Sequence, residues 1–328
     1  MTDIDPISLD GVRTYSLKDR KSKVQLLDFG RAWKPGGDMR SWLQSLPRTL
    51  GAESFTRVIN SLVQATRSGR MVILAMGAHA IKVGLNPVIL DLMDRGILKG
   101  LAMNGACIIH DAEIAMAGHT SEDVAAHLGD GTFGMAEETG QFLNQAIREG
   151  AAKGLGIGRA VGAMLVKEAF PHNRYSLLAG AYERNIPVTV HVALGTDIIH
   201  CHPAADGAAI GEASHLDFRI FAGLVSRLEG GVYINLGSAV VLPEVFLKAL
   251  SLVRNLGHEV KNFTAVNMDF LRQYRPMTNV VDRPTLEGGE GYNLVGHHEI
   301  MFPLLAAAVL EGLEAETKKG KEQDHAHL

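Results

Sequence analysis

The sequence predicts an α/β fold: a mostly parallel sheet with helices on both faces. Three observations lead there. Short apolar runs alternate with longer helical patterns along most of the chain, as strand–helix–strand units do. Several of those runs are apolar throughout rather than alternating, which suits strands buried on both faces. Glycine is frequent, 36 of 328 residues, while aromatics make up only 6%, a balance suited to close helix–sheet packing and tight turns.

Taken in order, residues 1–22 are polar and read as an extended arm ahead of a single α/β domain over 23–315. "MVILAM" (71–76) is the first buried strand, followed by Gly77 and by a helix in "NPVILDLMDRG", with Pro87 early and Gly96 past its end. "GLAMN" (100–104) is the next strand, with Gly105 behind it. In "HTSEDVAAHL", Thr120 stands three residues before Asp123, so Thr120 is expected to cap a helix. Residues 134–150 and 159–169 read as helices, and "YSLLAGAYERN" as a helix before a strand starting at Ile186. "GGVYINLGSAVVLPEVFLKALSLVRN" reads as strand, Gly-Ser turn and helix, with Pro243 near the helix start. "NFTAVN" (262–267) and "YNLV" (292–295) are the remaining strands, and "HEIMFPLLAAAVLEGLEAE" the last helix. The polar tail 316–328 is expected to be disordered, its His325 and His327 fraying rather than binding metal.

Composition narrows the function classes. A net charge of -4 and the absence of basic runs argue against a nucleic-acid partner. Only Cys107 and Cys201 are present, which fits a reducing cytoplasm without a disulfide framework. The acidic start lacks the apolar region of a signal peptide, and no stretch is apolar enough to span a membrane. The expected partner is a small-molecule substrate.

Parallel sheets bind ligands beyond the carboxyl ends of their strands. That rule selects Gly77 to His79, Asn104 with Gly105 and Ala106, Gly195 to Asp197, Gly237 with Ser238, Asn267, and Gly296 to His298. These segments are expected to converge on one crevice. In "NLGSAVVL" (235–242) a glycine follows a strand and a helix follows the glycine. Gly237 would let the backbone approach a ligand and the next N–H groups face an anion; an ordinary tight turn explains it equally well. "GLGIGRAVG" (154–162) has no strand before it and reads as helix packing through small residues. Among the 14 histidines, His110, His200, His297 and His298 fall at the expected rim and are the candidate catalytic residues, because imidazole exchanges protons near neutral pH. Neither HExxH nor GxSxG occurs, so no metal is expected and no serine triad is evident.

The order of these segments resembles the deoxyhypusine synthase and homospermidine synthase family over most of residues 50–312. The resemblance is carried by "YSLLAGAYERNIPV", by the glycine turn and helix ending in Arg-Asn, by "HHEIMFPLLAAAV", and by the layout of the first two units. It implies a Rossmann-like fold, a homotetramer with sites at dimer interfaces, NAD as cofactor, and hydride removal from a polyamine followed by transfer of an aminobutyl group through a lysine. By this similarity Gly237 and Ser238 would border the NAD phosphates. Gly77, Ala78 and His79 stand at the family's Thr-Ser-Asn turn, Asn104, Gly105 and Ala106 at its Thr-Ala-Gly turn, and His297 and His298 at its Asp-Ala pair. Together with Asp197 and Asn267 these turns form the expected cofactor site.

The chain departs from the family where the covalent step occurs. The family's lysine lies in a Trp-Gly-Lys motif before the last strand, and residues 269–291 contain neither lysine nor tryptophan. The family's histidine and asparagine after the glycine turn fall at Pro243 and Leu247. A relay needs an amine that forms an imine, which an always-protonated arginine cannot replace. Lys82, near the first strand end, is a stand-in or a plain surface lysine. Arg272, Arg275 and Arg283 in the loop read as surface charge balanced by nearby acids. The expected function is a deoxyhypusine synthase-like transferase or oxidoreductase acting on a small amine or amino acid with NAD and without a lysine relay. The alternatives are a metal-dependent hydrolase or lyase using the histidines, and a non-catalytic ligand-binding member.

Overall fold

A computed structural model describes residues 4–325, with side chains described through Glu314. Six strands form one sheet: β1 Val72–Met76, β2 Gly100–Asn104, β3 Val188–His191, β4 Val232–Leu236, β5 Thr264–Asp269 and β6 Glu290–Val295. Their order is β3-β2-β1-β4-β5-β6, and every neighbouring pair is parallel. This is the doubly wound, Rossmann-like arrangement. The sheet is wholly rather than mostly parallel. Every residue of β1, β3, β4 and β5 is buried, which is why their sequences carry no alternation. β3 begins two residues after the expected Ile186. Pro187 has no N–H to give the ladder, although its carbonyl accepts from Leu101.

Met76 of β1 is level with Met103 on one side and Leu236 on the other. The chain runs from β1 outward to β2 and β3, then returns past β1 to β4. The point where connections leave in opposite directions therefore lies between β1 and β4.

Each face of the sheet has its own core. On one, helix Leu50–Arg67 and the last helix, His298–His325, share a core with Leu74, Met76, Leu101, Ile234 and Met268. On the other, helices Gly207–Val225 and Val241–Asn255 cover Ile73, Ala75 and Tyr233, and Phe246 stacks on Tyr233 with ring centroids 3.7 Å apart. The small residues of 154–162 do pack closely. A Cβ on Gly158 would stand 2.1 Å from the Val188 carbonyl oxygen, and one on Gly162 would stand 2.7 Å from that of Leu178.

Between Ile4 and Asp38 the chain forms two single-turn 3-10 helices, Leu17–Asp19 and Leu26–Asp28, and Ile4, Ile7, Leu9, Leu26 and Leu27 are exposed. The side chains beyond Glu314, with the tail histidines 325 and 327, lie outside the described residues. No helix among the described residues is long and apolar enough to cross a membrane.

Asp217 is a buried carboxyl at the junction of three elements. It accepts from the Gly158 N–H at 3.0 Å and the Val190 N–H at 2.9 Å, and its other oxygen has no partner among the described residues. Burial outweighs those bonds and pushes its pKa up from 3.8 to about 7. The folded state therefore binds the proton more tightly than the unfolded state between those two values. Its contribution is full below the unfolded pKa and is lost as pH rises toward 7, at roughly 1.4 kcal/mol per pH unit. Asp217→Asn keeps an acceptor for both N–H groups and removes the titration. Urea denaturation is expected to find the variant more stable than the parent at pH 8, with the gap closing toward pH 4. A gap unchanged across that range would contradict this account.

Candidate functional site

The ladder of the sheet continues one residue past three strand ends, and that residue is glycine each time. The Gly77 N–H donates to the Leu236 carbonyl, Gly237 to Met268 and Gly296 to Asp269, each at 3.0 Å. These glycines mark the rim at β1, β4 and β6. Gly77 has no room for a side chain, since a Cβ there would stand 2.5 Å from the Gly237 carbonyl oxygen. Gly237 has φ +65°, and its missing Cβ would stand 2.5 Å from Cε1 of His298. The space that Gly237 leaves open is thus filled by His298, not held free for a ligand.

The two histidines at 297 and 298 have opposite surroundings. His298 opens the last helix and is 1% exposed. Its Nε2 lies 3.7 Å from Oδ1 of Asp269, and neither ring nitrogen makes a hydrogen bond among the described residues. Burial pushes the His298 pKa down while the Asp269 carboxylate opposes it, leaving the ring neutral at pH 7. The rings of His79 and Phe270 pack around it at 5.1 and 6.1 Å. His297 is turned to solvent and lies parallel to Phe270, with centroids 6.2 Å apart.

Ser238 is buried, and its Oγ accepts from the Leu242 N–H at 3.2 Å in the first turn of the helix that follows β4. The N–H groups of Ser238, Ala239, Val240 and Val241 find no acceptor among the described residues. They point a fifteen-residue helix, Val241–Asn255, at the β1/β4 switch point. Unpaired N–H groups at such a position form a natural anion site.

Asn267 is wholly buried and occupied by neighbours. Asn235, Asn267 and Asn293 are in register on adjacent strands. The Asn235 Nδ2 donates to the Asn267 Oδ1 at 2.8 Å, and the Asn267 Nδ2 donates to the Asn293 Oδ1 at 2.7 Å. This amide ladder ties β4, β5 and β6 together just below the rim.

The other half of the predicted set gathers beyond β1, β2 and β3. Asn104 caps its own helix, Gly105–Ala117, accepting from the Cys107 N–H at 3.2 Å. The Asp197 carboxylate rests on the start of that helix, so near that a Cβ on Gly105 would stand 2.0 Å from its Oδ2. Burial raises the Asp197 pKa, with His200 opposing. His200 accepts at Nδ1 from the Gly195 N–H at 3.1 Å and the Asp197 N–H at 3.3 Å, which assigns its proton to Nε2, 4.0 Å from the Asp197 carboxylate. A cavity of about 150 Å³ is lined by Ala106, His110 and Asp197, and also by Lys82, Glu113 and Glu122.

Thr120 does not cap a helix. Asp123 caps the short turn Val124–His127 instead, because its carboxylate reaches the Ala125 and Ala126 N–H groups. The Thr120 hydroxyl bonds Glu113 at 2.5 Å and His110 Nδ1 at 2.7 Å. Asp111, next to His110, faces the interior and caps helix Leu177–Glu183. Arg275 lies 3.4 Å from Glu244, and Arg283 donates to Asn279 at 3.1 Å, so both are engaged at the surface. No group of three or more metal-ligating side chains occurs among the described residues.

Glu113, Thr120, Asp269 and Phe270 belong to the site but are not among the residues selected from the sequence. The first two lie in the helix and loop after β2. The second two stand at the true end of β5, which runs to Asp269 rather than stopping at the expected Asn267.

No protein-family model matches the chain, and no curated protein matches it. Solved structures resemble it in fold. A conserved protein of Methanococcus maripaludis S2, assigned provisionally to the LOR/SDH group, superposes with a TM-score of 0.50 and 14% identity over 81% of this chain and 71% of its own. AgrE, in its ternary complex with ornithine and NAD+, superposes with a TM-score of 0.50 and 14% identity over 82% of this chain. The match spans 34% of AgrE, about a third of its length. A provisionally assigned deoxyhypusine synthase of Entamoeba histolytica gives a TM-score of 0.48 at 13% identity, over 85% of this chain and 95% of its own. At these identities the likeness establishes the fold alone.

Proposed function

We propose that the chain is an NAD-using enzyme acting on a small amine or amino acid, without a lysine relay. The observation that carries this reading is the run of unpaired N–H groups at Ser238–Val241, aimed at the switch point of a Rossmann-like sheet. Those groups would hold the cofactor phosphates. The AgrE complex with ornithine and NAD+ supports the pairing of cofactor and substrate class on this fold. Bound NAD would supply a hydride acceptor. The neutral His298 beside Asp269 would fix the rim against Gly237, with His79 and Phe270 packed against its ring. A covalent relay through 269–291 has no amine to run on.

Thermal denaturation with NAD tests the reading. A ligand that binds only the native state stabilises it by about 2.7 kcal/mol at a hundredfold excess over its dissociation constant. NAD is expected to raise the melting temperature in a concentration-dependent way. No rise up to millimolar NAD would remove the cofactor from this account.

Assembly into a homo-oligomer belongs to the same reading. The apolar side chains Ile4, Ile7, Leu26 and Leu27, ahead of the first helix, are uncovered in a single chain and would be available to a second copy. Sedimentation as a monomer at micromolar concentration would count against assembly.

A further inference from the structure

His110 sits at the end of a hydrogen-bonded relay that nothing in the sheet requires. The Thr120 hydroxyl has one proton, and it goes to Oε2 of Glu113 at 2.5 Å. The 2.7 Å contact between Thr120 Oγ1 and His110 Nδ1 must therefore be donated by the histidine. That assigns the neutral ring its Nδ1–H tautomer and leaves the lone pair on Nε2, in a side chain that lines the 150 Å³ cavity. The other oxygen of Glu113 accepts from Thr139 at 3.2 Å, so two other segments of chain hold the carboxylate in place. Burial works against its charge, but the nearby His110 ring and hydrogen bonds from Thr120 and Thr139 hold its pKa below the usual range.

The cavity is small and charged on both sides. Its volume is well under the roughly 300 Å³ of a drug-sized site, which limits it to a ligand no larger than a small amino acid. Lys82 contributes a positive charge, while Asp197 and Glu122 contribute carboxylates. A small amine, or an amino acid with its two opposite charges, matches that lining.

We propose that His110 takes the proton from the ammonium of a small amine or amino-acid ligand held in this cavity, with Thr120 and Glu113 as positioning residues. The assignment deepens the amine-substrate reading above and rests on it for the ligand class. In the step, one ligand N–H bond breaks, its electron pair stays on nitrogen as the lone pair of the free amine, and the proton bonds to Nε2. The imidazolium so formed keeps its Nδ1–H on Thr120, and its charge faces the Glu113 carboxylate through that hydroxyl. No oxidant is needed for this transfer.

Nitrogen NMR of the full chain with labelled histidine tests the assignment, using L-ornithine as the probe because it offers both an α-amino acid and a second amine. His110 in the parent is expected to show a protonated Nδ1 and an unprotonated Nε2. Thr120→Ser keeps that pattern, and Thr120→Val moves the ring toward the Nε2–H tautomer with the other histidines unchanged. L-Ornithine is expected to shift the His110 Nε2 signal in the parent. An Nε2–H tautomer in the parent, a Thr120→Val ring identical to the parent, or no ornithine response at His110 would each overturn the proposal. The tautomer is read without NAD, so a failed NAD titration bears on the cofactor alone.

Discussion

Gly237→Ala is expected to cost about 3 kcal/mol of stability and to abolish the NAD-induced rise in melting temperature. Two terms make up the loss. A side chain at φ +65° costs on the order of 1–2 kcal/mol, and forcing a methyl into filled space costs a similar amount. The second term has an identifiable source, since the new Cβ would stand 2.5 Å from Cε1 of His298. His298 cannot yield easily, being buried among His79, Phe270 and Asp269. Removing that ring should recover the steric part. In a His298→Ala background the cost of Gly237→Ala is expected to fall to about 1–2 kcal/mol, the backbone term alone. Equal costs in the two backgrounds, by urea denaturation, would show that His298 does not fill the space above Gly237.

Asp111→Ala should be as damaging, at about 4 kcal/mol, although the residue is no part of the crevice. Its carboxylate accepts from Ser176 Oγ at 2.5 Å, Leu177 N–H at 2.7 Å, Leu178 N–H at 3.0 Å and Asn86 Nδ2 at 3.1 Å. Burial raises its pKa while these four bonds oppose the rise. Deleting the acceptor leaves buried donors at the start of helix Leu177–Glu183 without partners, the costliest kind of polar loss. His110→Ala, one residue earlier, removes no buried acceptor and is expected to cost under about 1 kcal/mol. Comparable losses for the two variants in urea would mean that the neighbours do not divide between structure and chemistry as described.

Strands were the most legible part of the sequence. Runs such as "MVILAM" and "GLAMN" have no polar interruption because both sheet faces are covered, and burial leaves that mark directly on composition. The rim was legible for the same reason, since a glycine follows β1, β2, β4 and β6. What each rim residue does was not legible. Asn267 is recognisable as lying at a strand end, but its engagement by Asn235 and Asn293 depends on parallel register, which no local pattern encodes. His297 and His298 are adjacent letters whose side chains part at the helix start, one to solvent and one to the core. Thr120 has the spacing of a cap, yet Asp123 takes that role and Thr120 turns back to Glu113 and His110, a choice made by tertiary contact. Asp217 carries no sequence mark at all, because its partners at Gly158 and Val190 are brought to it by the fold.

Hydrogen exchange with and without NAD tests the central claim most directly. The N–H groups of Ser238, Ala239, Val240 and Val241 lack acceptors among the described residues and should exchange rapidly in the protein alone. Saturating NAD is expected to slow them selectively, along with the turn at Gly77 to His79 across the switch point. Protection confined to other parts of the surface, or none in the 238–241 segment, would contradict a cofactor site at the junction of β1 and β4.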